Sequence, residues 1–262
     1  MVVAVLILSH LSIAQTPVSS SIKKNPTEQI CELQNAGSFQ VSDSLIKLLT
    51  VPTMRDTLLL RQYLLSANTT QFNSLFDKLV AEPRWRTGTP FLLMWKIRSL
   101  MFSGSLAPLA DLADSMAVGP AWPNAEELLQ IKLAVKTCQP KEMTELCGIE
   151  AKLYRCDYAS AVTQYCAIDK SIRSPFLLDA VGRCLTKANR FELQLKAASA
   201  CSDTSSPEYR YYLGTALVAG GNVDEGRKCL VAILSKNPAS VFAQRARIYL
   251  TRLNKTDEPR GN

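Results

Sequence analysis

The segment Gly221-Asn-Val-Asp-Glu-Gly226-Arg227-Lys228 sets two glycines with four residues between them and follows them with two cations. A phosphate-cradling loop uses that glycine spacing, then a Lys for the terminal phosphates and a Ser or Thr hydroxyl for magnesium. Here Arg227 stands in place of the Lys and Lys228 in place of the hydroxyl, and a helical pattern, not a strand, comes before. Gly220-Gly221-Asn222 suits a helix C-terminus and turn, and Asp224-Glu225 favour the start of a following helix through its dipole. The segment reads as an elbow between two helices.

Other residue types that carry chemistry are sparse. The only histidine is His10, in the apolar N-terminal run. Beyond it no imidazole remains for Ser-His-Asp or Cys-His catalysis, metal ligation or proton shuttling. The acids Glu126-Glu127 and Asp111/Asp114 are close in sequence. A glycan-cleaving pair needs two carboxylates about 5–10 Å apart in a cleft, and the neighbours of these read as exposed helix faces. Eight cysteines, at 31, 138, 147, 156, 166, 184, 201 and 229, contain no Cys-x-x-Cys. Several fall on apolar helix faces as small hydrophobes, yet an even count in an exported chain fits at least one structural disulfide. Arg84-Trp85-Arg86 and Trp95-Lys96 mix cations with aromatics, a combination that stacks on sugars or bases or anchors an interface. No cofactor and no metal are expected.

The elements that must position these groups are helices. From about Ser42 apolar residues recur three and four apart, with no sustained period of two. "DTLLLRQYLLSA" turns at "NTT" into "QFNSLFDKLVAEP", and "PFLLMWKIRSLMF" turns at "SGS" into "LAPLADLADSMAVGP". Such pairs are αα-hairpins. Ahead of them, the apolar run Val2–Ile13 with small residues at Ser12-Ile13-Ala14 reads as a secretory signal, residues 1–14, although no Lys or Arg precedes the run. Residues 15–41 read as a flexible lead-in and 42–140 as degenerate helix-hairpin repeats. The formal charge of +7 permits attraction to polyanions. An export signal makes nucleic acid an unexpected partner, and no membrane span is expected once the signal is removed.

Residues 141–240 repeat themselves. Pro175, Pro207 and Pro238 are 32 and 31 residues apart, and Tyr158, Phe191 and Val223 open second helices at spacings of 33 and 32. A period near 34 marks a helical solenoid. The chain resembles the tetratricopeptide repeat family. That pattern has a Leu-Gly pair in the first helix, a small residue twelve positions after the Gly, a large apolar residue four later and a closing Pro. The last unit supplies Leu213-Gly214, Gly226, Leu230 and Pro238; the middle one Val181-Gly182, with Gln194 at the small site; the first Ala161 and Tyr165, with Ile149 at the Gly site. The pattern's Trp and Tyr are replaced by Arg210 and Leu217.

The resemblance implies an all-α fold, a right-handed solenoid of antiparallel helix pairs closed by a capping helix over 241–254, with 255–262 as a tail. It implies that Gly182, Gly214, Ala161 and Gly226 are packing positions, since a mid-helix Gly costs about 1 kcal/mol relative to Ala unless a neighbouring helix fills the space. It also implies binding of a protein or peptide on a concave face lined by first helices. Aligning on the two glycines puts Glu150 and Tyr154, then Asp179, Arg183 and Lys187, then Tyr211 and Thr215, on that face. Adjacent repeats bring Cys166 and Cys201 onto neighbouring second helices, and Cys138 and Cys147 flank a turn; these are the candidate disulfide pairs. The expected function is an exported, non-catalytic scaffold, in a bacterial periplasm or envelope or else secreted. The alternatives are a glycan- or polyanion-binding envelope protein using the Arg84-Trp85-Arg86 surface, and an all-helical carboxylate or thiol enzyme.

Overall fold

The computed structural model describes residues 25–116 and 125–257. The signal over 1–14 with His10, the lead-in as far as residue 24 and the tail beyond 257 lie outside the described residues. The chain is all-α, with no strand among the described residues. It divides into two compact units, one ending at Cys156 and the other beginning at Asp157.

Unit 1 contains α1 (Pro26–Asn35), α2 (Phe39–Lys47), α3 (Pro52–Leu65), α4 (Thr69–Ala81), α5 (Thr89–Phe102), α6 (Leu106–Ser115), α7 (Ala125–Thr137) and α8 (Pro140–Tyr154). A 3-10 turn over Pro83–Gly88 joins α4 to α5. Unit 2 contains α9 (Tyr158–Ala167), α10 (Pro175–Lys187), α11 (Phe191–Ser199), α12 (Pro207–Ala219), α13 (Val223–Lys236) and α14 (Val241–Asp257).

Two local devices punctuate the chain. Helices α1, α3, α5, α8, α10 and α12 carry a proline in their first two positions. There the missing N–H has no intrahelical partner to lose and the fixed φ is already helical. Prolines 175 and 207, read from sequence as closing a repeat, thus open the first helix of the next one. Each of these six helices then ends in a turn with one left-handed residue: Gly37, Ala67, Gly104, Cys156, Asn189 and Gly221. At Gly37, Ala67, Gly104, Asn189 and Gly221 the N–H of the residue after it returns to a carbonyl five positions back, as from Asn222 to Leu217 at 2.9 Å, which satisfies a carbonyl at the helix end. The glycine-rich segment at 220–222 is accordingly an elbow, and α13 starts directly after it.

Neighbours in space follow neighbours in sequence, as in a helical-repeat architecture. In unit 1, α1 packs on α2 and α3, α3 on α4 and α5, and α5 on α6 and α8. In unit 2, α10 packs on α11 and α12, and α12 on α13 and α14. Helices α1, α3, α5, α10 and α12 therefore each touch the helix that follows and the next first helix. The expected lead-in is helical from Pro26 on. Asn25 accepts a hydrogen bond from the Thr27 N–H at 3.0 Å, and Ile30 and Cys31 join Ile46 and Leu58 in a buried cluster. Thr27, Ile30, Cys31 and Gln34, three and four apart, form the buried face of α1, so helical packing extends further toward the N-terminus than composition alone indicated.

All eight cysteines are free thiols. The expected pairs, Cys166 with Cys201 and Cys138 with Cys147, are not formed. These side chains act as small packing groups: Cys147 is buried on α8, and Cys201, just past α11, directs its thiol at the Asp203 carbonyl, 3.6 Å away.

Candidate binding faces

In unit 2 the first-helix face is organised round one buried carboxylate. Asp179 on α10 accepts a hydrogen bond from the Tyr212 hydroxyl of α12 at 2.6 Å and another from Arg245 Nη1 of α14 at 3.1 Å. Its other oxygen lies 3.2 Å from Arg183 Nε, one turn along α10. A single carboxylate thereby ties three first-position helices together. Burial, and Asp179 beside it, push the Tyr212 phenol well above its ordinary range. The ring reaches Asp179 because it packs against Gly182, three residues further along α10. A Cβ at Gly182 would stand 2.4 Å from Tyr212 Cδ1.

Of the residues expected on this face, Lys187 is exposed, Arg183 and Tyr211 are half-buried, and Asp179 and Thr215 are buried. Asp179 is an anchor, not a contact surface. Thr215 is a correction. Its hydroxyl donates to the Tyr211 carbonyl at 3.0 Å and accepts from Gln194 Nε2 at 2.7 Å inside the helix packing. Tyr211 packs against Tyr212 and Phe242, with ring centroids 5.2 and 5.6 Å away. Burial raises its phenol pKa, and Arg245 and Arg252 oppose that shift. The sequence reading missed Tyr212 and Arg245. The adjacent Tyr211-Tyr212 pair was the available signal, read one residue out of phase.

The Gln at the expected small-residue site is also accounted for. Gln194 donates to the Tyr212 carbonyl at 2.8 Å and to Thr215, while its own oxygen accepts from Thr186 Oγ1 at 2.7 Å. A buried amide satisfied on both ends carries little penalty. The glycines of the last pair meet closely. A Cβ on Gly214 would lie 3.0 Å from the Gly226 carbonyl oxygen and from Leu230 Cγ, and one on Gly226 would lie 2.6 Å from the Gly214 carbonyl oxygen. Ala161 is fully buried on α9.

Unit 1 fills the corresponding face with its own side chains. Tyr154 on α8 sets its ring edge-on to Trp95 of α5, centroids 6.0 Å apart, and tilts against Phe102 at 5.5 Å. Arg98 of α5 and Arg61 of α3 lie 5.4 and 5.7 Å from the Tyr154 ring centroid. Arg98 is buried and donates to both oxygens of Glu127 on α7, at 2.8 and 2.9 Å. Burial works against the charge on Arg98, but Glu127 outweighs it and holds the guanidinium charged more firmly than usual. Glu150, half-buried, adds to that field. Asn35 Nδ2 reaches back from α1 to Cys156 Sγ at 3.4 Å. Tyr154, expected on an open face, is therefore packed among α3, α5 and α8.

The remaining candidates fall to structural roles. Trp85 and Trp95 are both buried in the unit 1 core, so neither ring is presented for stacking. Arg84 pairs with Asp56 at 2.7 Å and with Glu82; the Arg86 side chain lies outside the description. Asp114 pairs with Lys136 at 3.2 Å, and Glu127 is held by Arg98; the Glu126 side chain is likewise outside the description. Burial raises the thiol pKa of Cys31, Cys201 and Cys229, and brings Cys138 and Cys147 to about 12. A thiol nucleophile needs the opposite shift. No helix among the described residues is long and apolar enough to cross a membrane.

Compared with protein-family models, curated proteins and solved structures, the chain matches none.

Proposed function

We propose that this chain is a non-catalytic scaffold that holds a protein or peptide partner on the first-helix face of unit 2. The helix pairs of that unit are read as a right-handed solenoid, with α14 as its cap. The observation that carries the reading is the Asp179 anchor. It locks α10, α12 and α14 together and fixes Arg183 and Arg245 on its carboxylate, with half-buried Tyr211 and exposed Lys187 on the same first helices. Aromatic and arginine side chains held in place by a buried network are what an interface anchor requires, because little ordering entropy remains to be lost on binding. The raised thiols and the engaged carboxylates add support over an enzymatic role. Export to a periplasm, an envelope or the exterior is part of the proposal and rests on the apolar run of residues 2–13.

A random-peptide display library selected against the full chain tests it. The expected outcome is a family of bound peptides whose affinity drops at least tenfold, about 1.4 kcal/mol, in an Arg183→Glu, Lys187→Glu double variant. Lys196→Glu with Lys236→Glu makes the same change in net charge on the second helices α11 and α13 and is expected to leave binding intact. Equal loss in both double variants, or no selectable peptide, overturns the proposal.

A further inference from the structure

We propose that unit 1 carries a binding site for a small oxyanion, a carboxylate or a phosphate, centred on the Arg61 guanidinium. Two arginines lie against Tyr154, and they are neutralised differently. Arg98 has the Glu127 carboxylate in a two-pronged bond. Among the described residues Arg61 has neutral acceptors: its Nη1 donates to Gln34 Oε1 at 2.6 Å and its Nη2 to Asn35 Oδ1 at 2.5 Å. No carboxylate among the described residues accepts from it.

The two amides are themselves fixed. Gln34 is almost fully buried, and its Nε2 donates to the Leu58 carbonyl at 2.8 Å, which turns its oxygen toward Arg61. Asn35 is oriented by its second bond, to Cys156 Sγ. The Tyr154 ring covers the guanidinium at 5.7 Å. The cation is thus held on α3 by groups from α1 and α8 while remaining partly exposed.

A guanidinium has five N–H donors in a planar fork, and the two amides occupy two of them. The other donors suit a planar carboxylate or a phosphate, which arginine binds in two-pronged fashion. Charge-assisted bonds of this kind are roughly twice as strong as neutral ones, so an arriving anion gains more from the fork than the amides do. The site is independent of the unit 2 face.

Calorimetric titration of the full chain with inorganic phosphate, and separately with succinate, against sodium chloride at matched ionic strength, tests the site. At least one titrant is expected to bind saturably at a single site. Arg61→Gln is expected to weaken that binding tenfold or more, and Arg61→Lys severalfold, since it keeps the charge and loses the fork. Arg247→Gln on α14 is expected to leave it unchanged. Circular dichroism checks that each variant is folded, and the Arg61→Lys arm stands if Arg61→Gln is not. Stronger binding of succinate assigns the site to carboxylates, and stronger binding of phosphate to phosphates. Affinity unchanged in Arg61→Gln, or neither titrant exceeding chloride, overturns the proposal.

Discussion

Each unit sets one tyrosine of a first helix against two arginines, and the two arrangements differ in where the negative charge sits. In unit 2 the carboxylate is central. Asp179 takes the Tyr212 hydroxyl and faces both Arg183 and Arg245. In unit 1 the carboxylate is peripheral. Glu127 comes from α7 and binds Arg98, and the amides of α1 hold Arg61. A buried carboxylate shared by three helices makes their packing depend on one side chain. A cluster whose pairs are separate spreads that dependence, and leaves one cation with capacity for a further anion.

Asp179→Ala is the strongest test of the contrast. It leaves Tyr212, Arg183 and Arg245 without their shared acceptor in a buried setting and is expected to cost about 3–5 kcal/mol. Hydrogen exchange should show the lost protection concentrated in α10, α12 and α14. Glu127→Ala in unit 1 is expected to cost less, about 1–3 kcal/mol, because that carboxylate is partly exposed whereas Asp179 is buried. Equal losses would erase the distinction.

Gly182→Ala comes next, at about 1–3 kcal/mol. The added methyl collides with the body of the Tyr212 ring and so also strains the bond to Asp179. Gly226→Ala, which meets backbone at 2.6 Å, should cost at least as much by thermal unfolding. Gly214→Ala, with contacts near 3.0 Å, should cost less than either.

Tyr212→Phe sharpens the comparison through pH. The folded-state pKa of Tyr212 is raised above its unfolded value, so its stabilising effect is full below about pH 10 and is lost as pH rises beyond that. Unit 2 of the wild type should lose stability progressively in that alkaline range. In Tyr212→Phe the tyrosine's share of that loss disappears, at the expense of lower stability near neutrality. Exchange-detected unfolding from pH 8 to 11 reads both effects.

The smallest expected change is favourable. Ala67 sits at φ +55° in the elbow between α3 and α4, a conformation glycine adopts without strain. Ala67→Gly should raise the stability of unit 1 by about 0.5–1 kcal/mol in chemical denaturation.

Much of the local architecture was legible in the sequence because it rests on strong, local signals. The elbow at Gly221 follows from turn chemistry, and the Gly214–Gly226 crossing from the spacing of small residues. The face of α12 was harder. Tyr211 and Tyr212 are adjacent, the helix is apolar over much of its circumference, and only the position of Gly182 on another helix decides which ring is buried. The roles of Asp179 and Arg245 depend on a contact across 66 residues, which no periodicity encodes. Unit 1 was less legible because its inner face is filled from α1, α3, α5 and α8, and the Arg61 cluster unites residues as far apart as Gln34 and Tyr154. Arg84-Trp85-Arg86 looked like a surface motif because composition does not tell that Trp85 points inward.

The most direct test of partner binding on unit 2 is photo-crosslinking of a display-selected peptide, carrying a photoreactive residue, to the full chain, with the attachment sites mapped by mass spectrometry. Attachment to α10, α12 or α14 near Arg183, Lys187 and Tyr211 is the predicted result. Attachment confined to the second helices α9, α11 and α13, or to unit 1, would contradict it.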